Sequence, residues 1–346
     1  RNIVGIVQKA PDVAKKAIKI RAYGQKITEV LGGKPIHPSG MIPGGVSKPL
    51  SKTDRDKLLS EVDEIISLCE WGVELGKELL LDKYLDMVKT FAVIQTHHMG
   101  LVKKGALELY DGTVRAMLAN GEIHAEFEPH EYLDYIAERV EPYSSLKFPY
   151  LRKLGWPEGI YRVNSLSRIN VADKITTPKA NEVFKEFRNQ WGRPAQHTLL
   201  FHYARLIETL YAAERAKELL EDEKILGENV RVPVKPREGD GVGIVEAPRG
   251  VLIHHYFTDK NGFITEANLI VATVQNNPAM DLCVREVAKA FIHKGEIREG
   301  LLNRVEMAIR AYDPCLSCAT HVGGIPLEVE VLDAKGKPVK TIRSQI

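Results

Sequence analysis

The chain has 346 residues, 44% hydrophobic and 27% charged, enough for one large domain or two modest ones. Its 48 Lys and Arg nearly balance 46 Asp and Glu, and a net charge of +2 gives none of the clustered basic excess that nucleic-acid binding needs. No apolar stretch approaches the ~20 residues of a membrane span, residues 1–30 hold no secretory apolar region, and Arg1 is not a translational start, so a mature, trimmed or partial chain is expected.

The N-terminal half reads as helical. From Pro11 to Leu31, apolar residues such as Val13, Ala17, Ile20, Tyr23, Ile27 and Val30 recur at three- and four-residue steps, and Gly32-Gly33 ends the pattern. Pro35 to Pro49 is a Gly/Pro-rich loop. Ser51 or Thr53 then caps a helix carrying Leu58, Val62, Ile65, Ile66, Cys69 and Val73 on one face, with Cys69 as a small core residue. A third helix is expected over Tyr84 to His98. Residues 120–180 are rich in turns, punctuated by Pro142, Pro149 and Pro157.

Thr177 to Leu219 returns to a helical pattern broken near Trp191-Gly192-Arg193-Pro194. From Gly239 the period changes. Gly241–Val245 and Val251–Thr258 look extended, Asp259-Lys260-Asn261-Gly262 is a hairpin turn, and Phe263–Val274 continues as strand. A final helix, Met280 to Ala311, stops at Asp313-Pro314. Leu327–Leu332 and Pro338–Ile342 flank Ala334-Lys335-Gly336 as a terminal hairpin. The class is mainly α (α+β): a large helical domain with a small β element around residues 241–274, no internal repeat and no boundary that splits it.

Four cysteines are too few for a disulfide scaffold and fit a reducing compartment. Cys69 and Cys283 stand alone, whereas Cys315 and Cys318 form a C-x-x-C, with His321 three residues on. Two thiols on one turn can chelate a soft or borderline metal, and His321 could add an imidazole. Structural zinc would want further ligands, and a thioredoxin-like redox pair would open a helix in a βαβ setting rather than follow Pro314. Covalent c-type haem is excluded by Ala319, where C-x-x-C-H requires His. Chance spacing remains open on these residues alone.

A second motif lies upstream, at Glu246-Ala247-Pro248-Arg249-Gly250. A Pro-Arg-Gly turn between strands can hold a guanidinium at a fixed place facing an anion or electron-rich ligand. Taken alone it also fits an ordinary hairpin ion pair.

Together, Glu-Ala-Pro-Arg-Gly and Asp313-Pro314-Cys315-Leu316-Ser317-Cys318-Ala319-Thr320-His321 resemble the large subunit of nickel–iron hydrogenases. The likeness extends to His37-Pro38 with Gly44-Gly45-Val46, to Gly159-Ile160-Tyr161-Arg162-Val163, to Ser167-Arg168-Ile169-Asn170 and to His202-Tyr203-Ala204-Arg205 with Glu208. The wording around Cys315 is nearest the cytoplasmic branch, in which hydrogen oxidation is coupled to a deazaflavin coenzyme, a heterodisulfide reductase or NAD(P).

The resemblance implies a helical large-subunit fold over residues 1–321. It implies heterolytic cleavage of dihydrogen at a Ni–Fe centre whose iron carries carbon monoxide and cyanide, the proton passing to a nickel thiolate or to Arg249. Cys315 would be a terminal nickel thiolate and Cys318 a bridging one. Arg249 would hydrogen-bond one cyanide and Thr273 the other, although Ala272 stands where many relatives have Pro. Leu252 would wall the carbon monoxide pocket, Asp313 would keep Arg249 oriented, and His321 would help bind a Mg or Fe ion.

Implied partners are an iron–sulfur small subunit, since the chain has too few cysteines for its own cluster, further flavin, heterodisulfide reductase or NAD(P) modules, and a maturation protease removing Val322–Ile346. The family's first C-x-x-C and its N-terminal glutamate are missing from this sequence, and truncation is the expected reason. Two rival readings are a non-catalytic homologue related to the quinone-side subunit of respiratory NADH dehydrogenase, and a zinc or redox protein built on Cys315 and Cys318.

Overall fold

The structure, a computed structural model, describes residues 3–291, 300–320, 328–333 and 335–343. Helix α1 (Ile3–Lys9) leads into α2 (Pro11–Gly32), which starts on a proline at its first turn and ends at Gly33 in the left-handed region (φ 83°). A small ribbon, β1 (Met41–Ile42) with β2 (Gly45–Val46), precedes α3 (Lys52–Gly76), whose Ser51 side chain accepts from the Asp54 amide as the capping pattern predicts. The Tyr23 hydroxyl donates to the Leu58 carbonyl at 3.0 Å, and Lys19–Glu64 and Lys26–Glu61 ion pairs join α2 to α3. Cys69 lies 3% exposed among the core residues of α3, and burial pushes its thiol up to about 12.

Beyond α3 the chain continues as a π-helical stretch, Lys77–Lys83, and the short helix α4 (Leu85–Thr90). The helix expected over Tyr84–His98 is thus cut at Thr90: Phe91 turns extended, and His97–Lys103 is strand β3. The reason is burial. Residues 98–102 are all buried, so their side chains give no two-residue alternation to mark a strand.

Strand β3 is the heart of a sheet with β4 (Ala106–Leu107), β5 (Thr113–Met117), β6 (Ile123–Phe127) and, past α5 (Tyr132–Tyr135) and the pair β7 (Ile136–Val140) and β8 (Lys147–Leu151), β9 (Tyr161–Arg162) in parallel. The fold is α+β as expected, with more sheet between His97 and Arg162 than a helix ending at His98 and a turn-rich stretch over residues 120–180 led us to expect.

Helices α6 (Ser165–Val171), α7 (Pro178–Trp191) and α8 (Leu200–Glu221) follow, the break at Gly192 falling where the sequence placed it. Strands β10 (Gly239–Ala247), β11 (Gly250–Thr258) and β12 (Ile264–Ile270) make an antiparallel sheet. Here two boundaries differ from the expectation. The strand expected to run through Val274 ends at Ile270, and α9 (Ala272–Phe291) begins at once, so Thr273 stands on the first turn of a helix. The helix expected from Met280 begins eight residues earlier, in α9, and α10 (Gly300–Ala311) ends at Ala311 as expected; the part of the expectation that falls on residues 292–299 lies outside the described residues. Pro278 falls in the first two turns of α9, which sequence reading takes as a stop rather than a passage. Helix α11 (Leu316–Thr320) and the hairpin β13 (Glu328–Leu332) with β14 (Pro338–Arg343) complete the described chain.

Two cores result. One is helical and includes Leu58, Val62, Phe184, Phe201, Leu210, Cys283 and Tyr312. The other is mostly sheet and includes Met99, Leu101, Val114, Tyr161, Val163, Val251 and Ile253. Each fully buried side chain of this kind contributes ~1.5–3 kcal/mol. The two motifs singled out in the sequence grow from different cores, β11 from the sheet core and Tyr312 from the helical one.

Candidate metal centre

Strands β10 and β11 pair so that Ala247 faces Gly250, which leaves Pro248 and Arg249 as a two-residue turn. Gly250 has φ 125°, and a Cβ there would overlap the Val163 side chain and stand 2.7 Å from the Asn164 nitrogen. Only glycine allows that approach. The buried Arg168 of α6 reaches the other side of the turn, donating to the carbonyls of Ala247 and Pro248 at 3.1 Å each. Asn276 of α9 closes it, donating to the Arg249 carbonyl at 3.4 Å while its own Oδ1 accepts from the Val163 amide at 2.9 Å.

The second motif begins where α10 ends. The Tyr312 ring is buried, its hydroxyl 3.2 Å from the Cys283 sulfur, and its carbonyl accepts from Asn164 Nδ2 at 2.6 Å. Asn164 holds φ 90° and ψ −175°, a region other residues than glycine enter at ~1–3 kcal/mol. Arg205 supports the preceding carbonyl of Ala311 at 3.1 Å. Asp313 then turns the chain in the left-handed region, φ 50°.

These two loops meet. Arg249 Nε donates to the Asp313 carbonyl and lies 3.4 Å from the Asp313 carboxylate. With side chains 36% and 49% exposed, the pair is screened by water and contributes at most about 1 kcal/mol to stability. Its consequence is directional: among the described residues neither terminal nitrogen of Arg249 takes a hydrogen-bond partner, so four N–H donors are left to face a ligand.

Thr273 is 2% exposed, and its hydroxyl accepts from the Cys315 amide at 3.3 Å. A hydroxyl accepts and donates at once, so this one still has a hydrogen to offer beside Cys315. Cys315 is half-buried, and Cys318, on α11, is exposed. Their sulfurs are joined to each other, with the α-carbons 5.2 Å apart, where the sequence led us to expect two separate thiolates. Convergence on a single turn is the physical reason. Leu252, half-buried on β11, shares a strand face with His254, away from the core-facing Val251 and Ile253. The structure therefore brings together Arg249, Asp313, Thr273 and Cys315; His321 lies outside the described residues.

Reduced, the pair offers two soft thiolate donors at one place, flanked by a guanidinium and a hydroxyl suited to anionic ligands, which fits half of a nickel–iron ligand set. The remaining cysteines do not complete it. Cys69 is in the core of α3, and Cys283 is bonded to Thr198, Tyr312 and Ala92. Among the described residues no group of three or more His, Cys, Asp or Glu is placed to hold a metal.

A buried charge cluster underlies the turn. Arg168 pairs with both Glu208 and Glu246, and burial pushes the Glu246 carboxyl up to about 7 against the opposing pull of Arg168. The sequence singled out Arg168 and Glu208 only through resemblance and gave no sign that they converge on Glu246, because the partners are 40 and 78 residues apart. Asn164 and Asn276 were missed for the same reason.

A family model for nickel-dependent hydrogenases matches residues 108–321. An F420-non-reducing hydrogenase subunit of Methanothermobacter marburgensis is 47% identical over 99% of this chain and 73% of its own length. The NAD-reducing hydrogenase HoxS subunit beta of Cupriavidus necator is 41% identical over 97% and 71%. The crystal structure of an NAD+-reducing NiFe hydrogenase in the H2-reduced state superposes with a TM-score of 0.87 at 40% identity, covering 92% of this chain and 71% of that one. The chain belongs to the nickel-dependent hydrogenase family. Within it, the chain is a catalytic large subunit of the nickel–iron type, an oxidoreductase acting on hydrogen, and its relatives are subunits of larger complexes. Neither the respiratory homologue nor the zinc or redox protein is supported. Among the described residues no helix is long and apolar enough to cross a membrane.

Proposed function

We propose that Cys315 and Cys318 would hold the Ni–Fe centre through their thiolates, which suit both metals. Arg249 and Thr273 would donate to cyanide ligands on its iron, and Leu252 would wall the pocket for carbon monoxide. When bound, the metals act as Lewis acids that polarise dihydrogen for heterolytic cleavage. The chain's own part is to hold charge and protons in place. The Cys315 sulfur takes the proton, because a guanidinium stays protonated and serves as a fixed positive field. Asp313 aims that guanidinium through Nε and leaves its terminal nitrogens free for the ligand side.

The observation that supports this reading best is the meeting of Arg249, Asp313, Thr273 and Cys315 from separate stretches of chain. The family resemblance supports a wider assembly in the cytoplasm, in which electrons leave through a separate iron–sulfur small subunit to a heterodisulfide reductase, flavin or NAD(P) module. Val322–Ile346 is a tail removed by a maturation protease, with a Mg or Fe ion held near His321. The test is isotope exchange by the purified complex under deuterium gas in ordinary water. Heterolytic cleavage predicts HD as the first product, and absence of HD from nickel-loaded protein contradicts it.

A further inference from the structure

Arg168 spends every N–H it has. Nε and one terminal nitrogen fork onto the Glu208 carboxylate at 2.5 and 2.8 Å, and that same nitrogen also donates to the Pro248 carbonyl at 3.1 Å. The other terminal nitrogen donates to Glu246 at 2.7 Å and to the Ala247 carbonyl at 3.1 Å. Five donors meet five acceptors in a side chain 3% exposed, and three of those acceptors belong to the residues directly before Arg249.

Glu246 is itself tied elsewhere, its second oxygen accepting from the Leu101 amide of β3 at 2.9 Å with the side chain fully buried. The carbonyls of a tight turn usually face water. Here two of them are turned inward onto a guanidinium that cannot move without breaking its fork on Glu208. The end of β10 is fixed from both sides, which fixes the place where the Arg249 side chain leaves the hairpin.

We propose that Arg168 is a positioning residue for Arg249, acting through the carbonyls of Ala247 and Pro248 and held in register by Glu208 and Glu246. The proposal rests on the reading of Arg249 as the residue that faces the iron ligands. A lysine at 168 keeps a charge but has three donors on one point and cannot span the same acceptors.

The test uses the assembled, metal-loaded complex carrying Arg168→Lys, Arg249→Lys or both, with nickel content measured beside kcat and KM for hydrogen. Arg168→Lys is expected to keep its nickel and a KM within about twofold, while kcat falls roughly ten- to a hundredfold, the usual consequence of a misplaced catalytic group. Because Arg168 acts through Arg249, the double variant should be no worse than Arg249→Lys alone, within about twofold. Amide hydrogen exchange in the 246–252 segment should quicken in Arg168→Lys. Wild-type kcat or unchanged exchange in nickel-loaded Arg168→Lys overturns the proposal, as does a double-variant loss equal to the product of the single losses. Wild-type kcat in Arg249→Lys instead overturns the reading beneath it. If Arg168→Lys retains no nickel, Glu246→Asp takes its place: it withdraws the carboxylate by one methylene while Glu208 keeps the guanidinium paired. A lowered kcat at full nickel then supports the proposal, and an unchanged one overturns it.

Discussion

Arg249 meets Asp313 through a single nitrogen: Nε donates to the Asp313 carbonyl and lies 3.4 Å from the Asp313 carboxylate. One contact is to the main chain and the other to a half-exposed side chain, so the two groups of Asp313 do unequal work. The carbonyl locates the guanidinium, and the carboxylate tunes it.

Arg249→Lys removes the planar fork whose terminal nitrogens take no hydrogen-bond partner among the described residues. We expect hydrogen-dependent dye reduction to fall about a hundredfold or more, as for loss of an aligned donor in other active sites. Nickel and melting temperature should stay near wild type, since the pair it breaks is screened.

Asp313→Asn keeps the carbonyl that receives Nε and removes only the charge. The expected loss in kcat is roughly tenfold, at the low end for residues that orient a metal's neighbours. A loss as large as that of Arg249→Lys would show the carboxylate, not the carbonyl, to be the orienting group.

The helices were readable because their buried stripes recur at three and four residues, and Ser51 and Gly33 mark their ends by capping chemistry. The strand at His97–Lys103 was not, because residues 98–102 are buried on both faces, so no two-residue alternation of polar and apolar side chains marks it. Likewise Thr273 could be named from its motif, yet its place on a helix was hidden by the β-branched run Ile270-Val271 and by Pro278. Arg249, Asp313 and the cysteines were visible because their motifs are contiguous in sequence. What holds them, Arg168 on Glu208 and Glu246 and the asparagines at 164 and 276, is long-range pairing and has no local pattern to read.

The Glu246 carboxyl, raised from 4.5 to about 7 first by burial, gives a signed pH dependence. The folded state holds that proton more tightly than the unfolded chain, so its contribution to stability is full below about 4.5 and is lost as pH rises through 7. Denaturant melts of wild type and Glu246→Gln should diverge in that window, wild type losing stability with rising pH relative to the variant. Parallel curves would place the proton elsewhere in the cluster.

Gly250→Ala adds a methyl that would overlap Val163 at a position with φ 125°. Strain and overlap together predict a loss of ~2 kcal/mol or more, read as a lowered denaturation midpoint. A stability unchanged from wild type would mean that the turn does not pack on Val163.

The most direct test of the cysteine assignment is the metal content of Cys318→Ser. Cys318 is exposed, so replacing its sulfur by oxygen should leave the fold and its melting behaviour within about 1 kcal/mol of reduced, metal-free wild type. The purified variant is then expected to carry little or no nickel by elemental analysis, beside a wild type with nickel and iron bound. Nickel retained at the wild-type ratio in folded Cys318→Ser protein would contradict the assignment of this cysteine pair as the metal-holding end of the chain.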